Sequence, residues 1–132
     1  MHKKTKGTIA EMIVASRLLE EGWRVLFPSE EHCRYDLVAE KNGKFVRVQV
    51  KYVTPKNGAL EINCRSSNNW SVLHYTPEEI DVLAAYNPSD RSVYFIPVKS
   101  INRSSLKLRL QTARNNQKSR IRMAKDFTEL NF

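Results

Sequence analysis

The sequence predicts an α/β fold, a mixed sheet flanked by helices, and three observations carry that prediction. Residues 8 to 21 place apolar side chains at helical spacing and run into Gly22. Residues 35 to 53 alternate like two strands about an Asn-Gly pair. Residues 80 to 98 hold two apolar runs, IDVLAAY and SVYFIPV, on either side of Asn87-Pro88-Ser89-Asp90, the composition of a buried hairpin and its turn.

Length and composition set the bounds. A chain of 132 residues, 41% hydrophobic, is expected to fold as a single domain with a sizeable core. Lys and Arg number 22 against 14 Asp and Glu, and the formal net charge of +8 predicts a polyanionic partner. Nucleic acid fits better than a membrane surface, because no apolar run approaches the ~20 residues of a span and no basic helix has a clean apolar face. Met1-His2-Lys3-Lys4 is basic, yet no uninterrupted apolar region follows, so no secretory signal is read. Cys33 and Cys64 are far apart and form no C-x-x-C pair, which argues against a zinc site or disulfide scaffold. The expectation is an intracellular, cytoplasmic protein.

Residues 1 to 6 read as a mobile basic start. The helix is expected over Thr8 to Glu21, with Ile9, Met12, Ile13, Ser16 and Leu19 at helical spacing and Gly22 as its stop. Glu11 is the odd member, since its helical neighbours Gly7, Ala15 and Leu18 are small or apolar. A carboxylate in a packing arc needs a partner. Two readings stay open from the helix alone: a glutamate paired with Lys or Arg at the edge of the face, or a member of a site.

Trp23 to Phe27 reads as a strand, and Pro28 to Arg34 as a polar loop whose Ser29 and His32 could reach a ligand. Strands at Tyr35 to Glu40 and Phe45 to Val53 flank the turn Lys41-Asn42-Gly43-Lys44. Val46, Val48, Val50 and Tyr52 share the core face of the second strand; Phe45, Arg47, Gln49 and Lys51 share the other, because strand side chains alternate. Asp36 then lies close to Gln49 and Lys51, so a carboxylate, an amide oxygen and an ammonium converge. Lys56-Asn57-Gly58 turns the chain into a strand over Ala59 to Cys64. The stretch RSSNNW, Arg65 to Trp70, is either an ordinary polar connection or a loop facing nucleic acid. Thr76 to Glu79 opens a short turn or helix, and Asp81 is read as a structural or solvated acid at a strand end. From Lys99 to Lys125 nine Lys and Arg meet no acid, either a solvated basic surface or a phosphate-neutralising one.

The order helix, strand, hairpin bearing D-x12-Q-x-K, then further strands, with an acid on the first helix, resembles the PD-(D/E)XK nuclease superfamily. The resemblance is best over residues 7 to 64, and within the superfamily it points to archaeal-type Holliday junction resolvases and intron-associated homing endonucleases. It implies a restriction-endonuclease-like core and a metal-dependent endodeoxyribonuclease using Mg2+, with Mn2+ as a substitute. Asp36 and Gln49 would hold the ion, with the Val50 carbonyl and Glu11 contributing, and Lys51 would act on the scissile phosphate. Tyr35 departs from the family's proline. Gln49 departs from its acid, offering an oxygen that a hard cation accepts but no negative charge.

The expected function is a structure-selective, resolvase-like nuclease; the alternatives are a homing or restriction-like enzyme and a non-catalytic basic DNA-binding domain. The expected partner is branched or duplex DNA, and the expected assembly a homodimer or higher oligomer. Ser29, Arg34, Arg65, Asn68, Asn69, Arg114, Lys118 and Arg120 are the expected DNA contacts.

Overall fold

The computed structural model describes residues 1–67, 72–74, 77–101, 105–111 and 122–132, and of 65–67 and 72–74 the backbone alone. Helix α1 spans Lys3–Glu20, five residues longer at its start than the apolar pattern predicts. The His2 imidazole accepts the Lys4 N–H at 3.1 Å and so supplies the N-cap. Residues 3 to 6 are therefore helical, a correction to the mobile start. At the other end Gly22 adopts φ 91°, and the N–H groups of Gly22 and Trp23 return to the Leu19 and Leu18 carbonyls. This left-handed stop is the one the sequence indicates.

The buried stripe of α1 is Ala10, Val14, Ala15 and Leu18, flanked by Ile9 and Ile13. Met12 and Leu19, expected to face inward, are 61% and 59% exposed. Small residues at Ala10 and Ala15 let the helix lie close to the sheet, and that approach fixed its rotation where size alone pointed elsewhere.

Strands β1 (Arg24–Leu26), β2 (Leu37–Lys41), β3 (Lys44–Tyr52), β4 (Ala59–Asn63), β5 (Arg65–Ser67), β6 (Val72–His74), β7 (Val82–Asn87), β8 (Ser92–Pro97), β9 (Ser105–Arg109) and β10 (Arg122–Met123) follow in order. The main sheet runs β1-β2-β3-β7-β8, antiparallel except for the parallel pair β3 and β7. Asn42 and Gly43 have φ 53° and 80°, the two left-handed positions of the tight hairpin turn that Asn-Gly favours. Asn57 and Gly58 repeat the device at φ 52° and 73°.

Alternation along the strands divides the core in two. Val46, Val48, Val50, Val82, Ala84, Tyr86, Val93 and Phe95 pack under α1. Leu83, Ala85, Tyr94 and Ile96 pack on the opposite face against Leu60, Ile62, Leu108 and Ala124. Leu60, Ile62 and Leu108 come from a second sheet ordered β10-β9-β4 and Ala124 from the 3-10 turn after β10, so β7 is buried on both sides. Among the described residues α1 is the α-helix; the second face is covered by strands.

Candidate active site

Asp36 immediately precedes β2. Its N–H donates to the Val48 carbonyl at 2.8 Å, and its Oδ2 accepts the Val50 N–H at 2.7 Å. The carboxylate thus occupies the position that one more residue of β2 would fill, against the edge of β3. Since the N–H and C=O of one strand residue point to the same edge, the Val50 carbonyl faces this gap too.

Helix α1 brings Glu11 to the same place, within hydrogen-bonding reach of the Asp36 carboxyl. Burial, and then the Asp36 charge and hydrogen bond, push the Glu11 carboxyl up to about 7. Burial also raises Asp36, opposed by the Val50 amide, Glu11 and the Lys51 ammonium. Without a cation the two acids tend to share one proton, because two carboxylates in contact ionise together only at a cost. Lys51 contributes to the field at Asp36 from β3, and Gln49 lies two residues before it on the same face. Gln49 and Lys51 share one face of β3, as the alternation predicts, while Glu11 reaches Asp36 from α1.

The donor set fits a hard divalent ion. It is all oxygen, and two crowded carboxylates are relieved by a cation between them. No group of three or more His, Cys, Asp and Glu able to hold a metal occurs among the described residues. Gln49, at the position where the family resemblance would put a third acid, is an amide and adds no charge to the pair.

Of the other candidates, Ser29 and His32 are exposed in the loop before Asp36. Arg34 is turned to protein: its Nε meets Glu79 Oε2 at 3.1 Å, and its side chain is 22% exposed. The Arg65 side chain and Asn68, Asn69, Arg114, Lys118 and Arg120 lie outside the described residues. Within the basic stretch Lys107 pairs with Glu61 at 3.5 Å, and Arg122 donates to the Ser100 carbonyl at 2.7 Å.

A family model described as PD-(D/E)XK endonuclease matches residues 1–130. The chain belongs to this family. Among solved structures, this PD-(D/E)XK protein is similar to a bacterial homing endonuclease, I-Ssp6803I, with a TM-score of 0.77 and 27% identity over 96% of the chain and 88% of that structure. It also resembles Hjc, a Holliday junction resolvase from Archaeoglobus fulgidus, at a TM-score of 0.50 and 18% identity over 79% and 84% of the two chains, a likeness of fold alone. A curated relative, Protein 5.3 of Escherichia phage T7, is 42% identical over 48 residues. That match spans 36% of this chain and 41% of the phage protein.

Arg47 went unassigned in the sequence and turns out to be engaged throughout. Its guanidinium pairs with both Asp81 oxygens, at 3.1 and 3.0 Å, and donates to the Glu78 and Pro77 carbonyls. Asp81 is structural, as read. Burial works to raise its carboxyl, but the hydrogen bonds and charge of Arg47 hold it below the usual carboxylate range.

Proposed function

We propose that this PD-(D/E)XK protein is a divalent-metal-dependent endonuclease that hydrolyses DNA phosphodiester bonds at the Glu11–Asp36–Gln49–Lys51 site. The observation that carries the reading is the carboxylate pair: Glu11 and Asp36, from a helix and a hairpin, are forced together at a strand end where a cation would relieve them. Asp36, Glu11, the Gln49 oxygen and the Val50 carbonyl would hold the ion, Mg2+ with Mn2+ as a substitute. Such an ion, when bound, neutralises phosphate charge and makes a water more acidic.

The remaining roles belong to the chain itself. Lys51 presents a positive charge to the phosphate as negative charge grows on its oxygens, and a fixed cation is worth most where water is excluded. Asp36 is held in one orientation by the Val50 amide, so little reorganisation accompanies the reaction. Glu11 shares a proton with Asp36 only while the pair is metal-free; beside a cation it would be ionised and serve as a ligand.

A linear duplex target is the substrate supported here, because the likeness to the homing endonuclease covers nearly the whole chain. The branched-junction reading, favoured by sequence alone, has the weaker support of a shared fold. Cutting both strands calls for two copies of the site, and a two-fold homodimer supplies them. Incubation with Mg2+ and labelled linear duplex or four-way junction separates the readings in one gel. Cleavage of the duplex supports this proposal, junction-only cleavage supports the resolvase, and binding without cleavage in Mg2+ or Mn2+ supports a non-catalytic DNA-binding domain.

A further inference from the structure

Two residues before Gln49 on the same face of β3, Arg47 straps this strand to the segment ahead of β7. Its Nε and Nη2 reach Asp81 at 3.1 and 3.0 Å, Nη1 donates to the Glu78 carbonyl at 2.6 Å, and Nη2 donates to the Pro77 carbonyl at 2.9 Å. The backbones join as well: the Arg47 N–H donates to Asp81 Oδ2 at 2.8 Å, and the Asp81 N–H donates to the Arg47 carbonyl at 2.9 Å. A planar guanidinium serving a carboxylate and two carbonyls together is a geometry that Lys cannot reproduce.

The turn strapped in this way presents Glu79, and Glu79 meets Arg34 at 3.1 Å. Next in sequence come Tyr35, near the Arg47 guanidinium, and Asp36. The contacts close a ring. From one side β3 holds Asp36 through Val48 and Val50; from the other, Arg47, the 77–79 turn, Glu79 and Arg34 hold the segment that delivers it.

We propose that Arg34, Glu79 and Arg47 are positioning residues that fix the direction of the Asp36 carboxylate. This deepens the metal-site reading and rests on it. Residues 34–36 lie outside β2, and the loop before them, 29–33, is exposed, so side-chain contacts must supply the anchoring that a strand ladder gives elsewhere. A partly exposed ion pair adds little stability. Its effect falls on geometry, and a group backing a metal ligand commonly changes affinity by about ten-fold or more.

The test uses the full chain and measures Mn2+ affinity by isothermal titration calorimetry without DNA, beside a melting curve. Glu79→Gln and Arg34→Gln should each weaken Mn2+ binding about ten-fold while leaving the melting temperature within about 2 °C. The charge swap Arg34→Glu with Glu79→Arg should recover most of the affinity. Wild-type Mn2+ affinity in both single variants, or a loss that the swap does not repair, overturns the inference. So does a third pattern: unchanged Mn2+ affinity with DNA binding weakened by Arg34→Gln and tightened by Glu79→Gln, which makes Arg34 a phosphate contact. Asp36→Ala separates the two possible failures. If it binds Mn2+ like wild type, the metal-site reading falls and takes the inference with it; if it loses Mn2+ and the paired variants do not, the inference alone falls.

Discussion

Asp36 accepts the Val50 N–H at 2.7 Å, and in doing so closes a hydrogen-bonding position on β3 that β2 is too short to reach. One side chain serves as both the end of a ladder and the anionic centre of the candidate site. Substitutions there must be chosen to separate these two duties.

Asp36→Asn retains an oxygen for the Val50 amide and removes the charge. It should fold normally and lose cleavage by two orders of magnitude or more, on the order of 3 kcal/mol of transition-state stabilisation, with DNA binding near wild type. Asp36→Ala should lose cleavage too and cost a further ~1–3 kcal/mol of stability, since a buried donor is left unpaired. Single-turnover cleavage beside chemical denaturation reads both quantities. Wild-type cleavage by Asp36→Asn would place the site elsewhere.

Glu11 has a pH signature. Its carboxyl titrates at about 7 in the folded protein against a usual 4.5, so between those values the folded state holds a proton that the unfolded state has released. Stability of the metal-free protein therefore falls as pH rises from 4.5 to 7. Glu11→Gln cannot ionise and should remove this slope, melting higher than wild type at pH 8 by on the order of 1 kcal/mol, the screening at a partly exposed group taken into account. An unchanged slope in melting curves from pH 4 to 8 would show that Glu11 is solvated like any surface acid.

Gln49 is the position where charge is missing. Gln49→Glu adds one formal charge beside the ion and should tighten Mg2+ binding by on the order of 1 kcal/mol even at high effective dielectric. Gln49→Ala removes the oxygen and should weaken it. The cleavage rate need not follow, because added negative charge also repels the phosphate. Equal Mg2+ affinity in all three proteins by titration calorimetry would remove Gln49 from the ligand set.

Asp81 should govern acid stability through its bonds to Arg47. Its carboxyl is depressed by Arg47, so its stabilisation is present above the ordinary carboxylate value of 3.8 and is lost as pH falls through its lower folded value. Asp81→Asn loses the charge in those bonds and should cost ~1.5–3 kcal/mol at pH 7, with a shallower decline on acidification. Urea unfolding at several pH values measures it.

The legible parts of this molecule are its local ones. Asn42-Gly43 dictates a hairpin within four residues, and that hairpin fixes which face carries Gln49 and Lys51. Glu11 was legible from its neighbours Ala15 and Leu18, both of which are buried. The helix rotation was not, because Met12 and Leu19 looked like core by size whereas the closeness of the sheet selected the small residues. Strand β9 hides in the basic stretch, although SLKLR alternates, with Leu106 and Leu108 turned toward the second core cluster. Charge drew attention from a period of two. The Arg47–Asp81 pairing spans 34 residues between parallel neighbours, and no local pattern announces such a partner.

That parallel pairing of β3 with β7 also bears on how the protein reaches its native state. The β2–β3 hairpin closes through a two-residue turn and brings Asp36 to Val50 across 14 residues, an event of microseconds for a hairpin. Joining β3 to β7 requires a far longer loop to close first, and non-local pairings of this kind are slow. Half of the candidate site is thus assembled with the earliest local structure. The other half, Glu11, arrives when α1 docks on the sheet, where β3 is its main partner, so a hairpin formed before that docking carries Asp36 and Lys51 in register without the second acid.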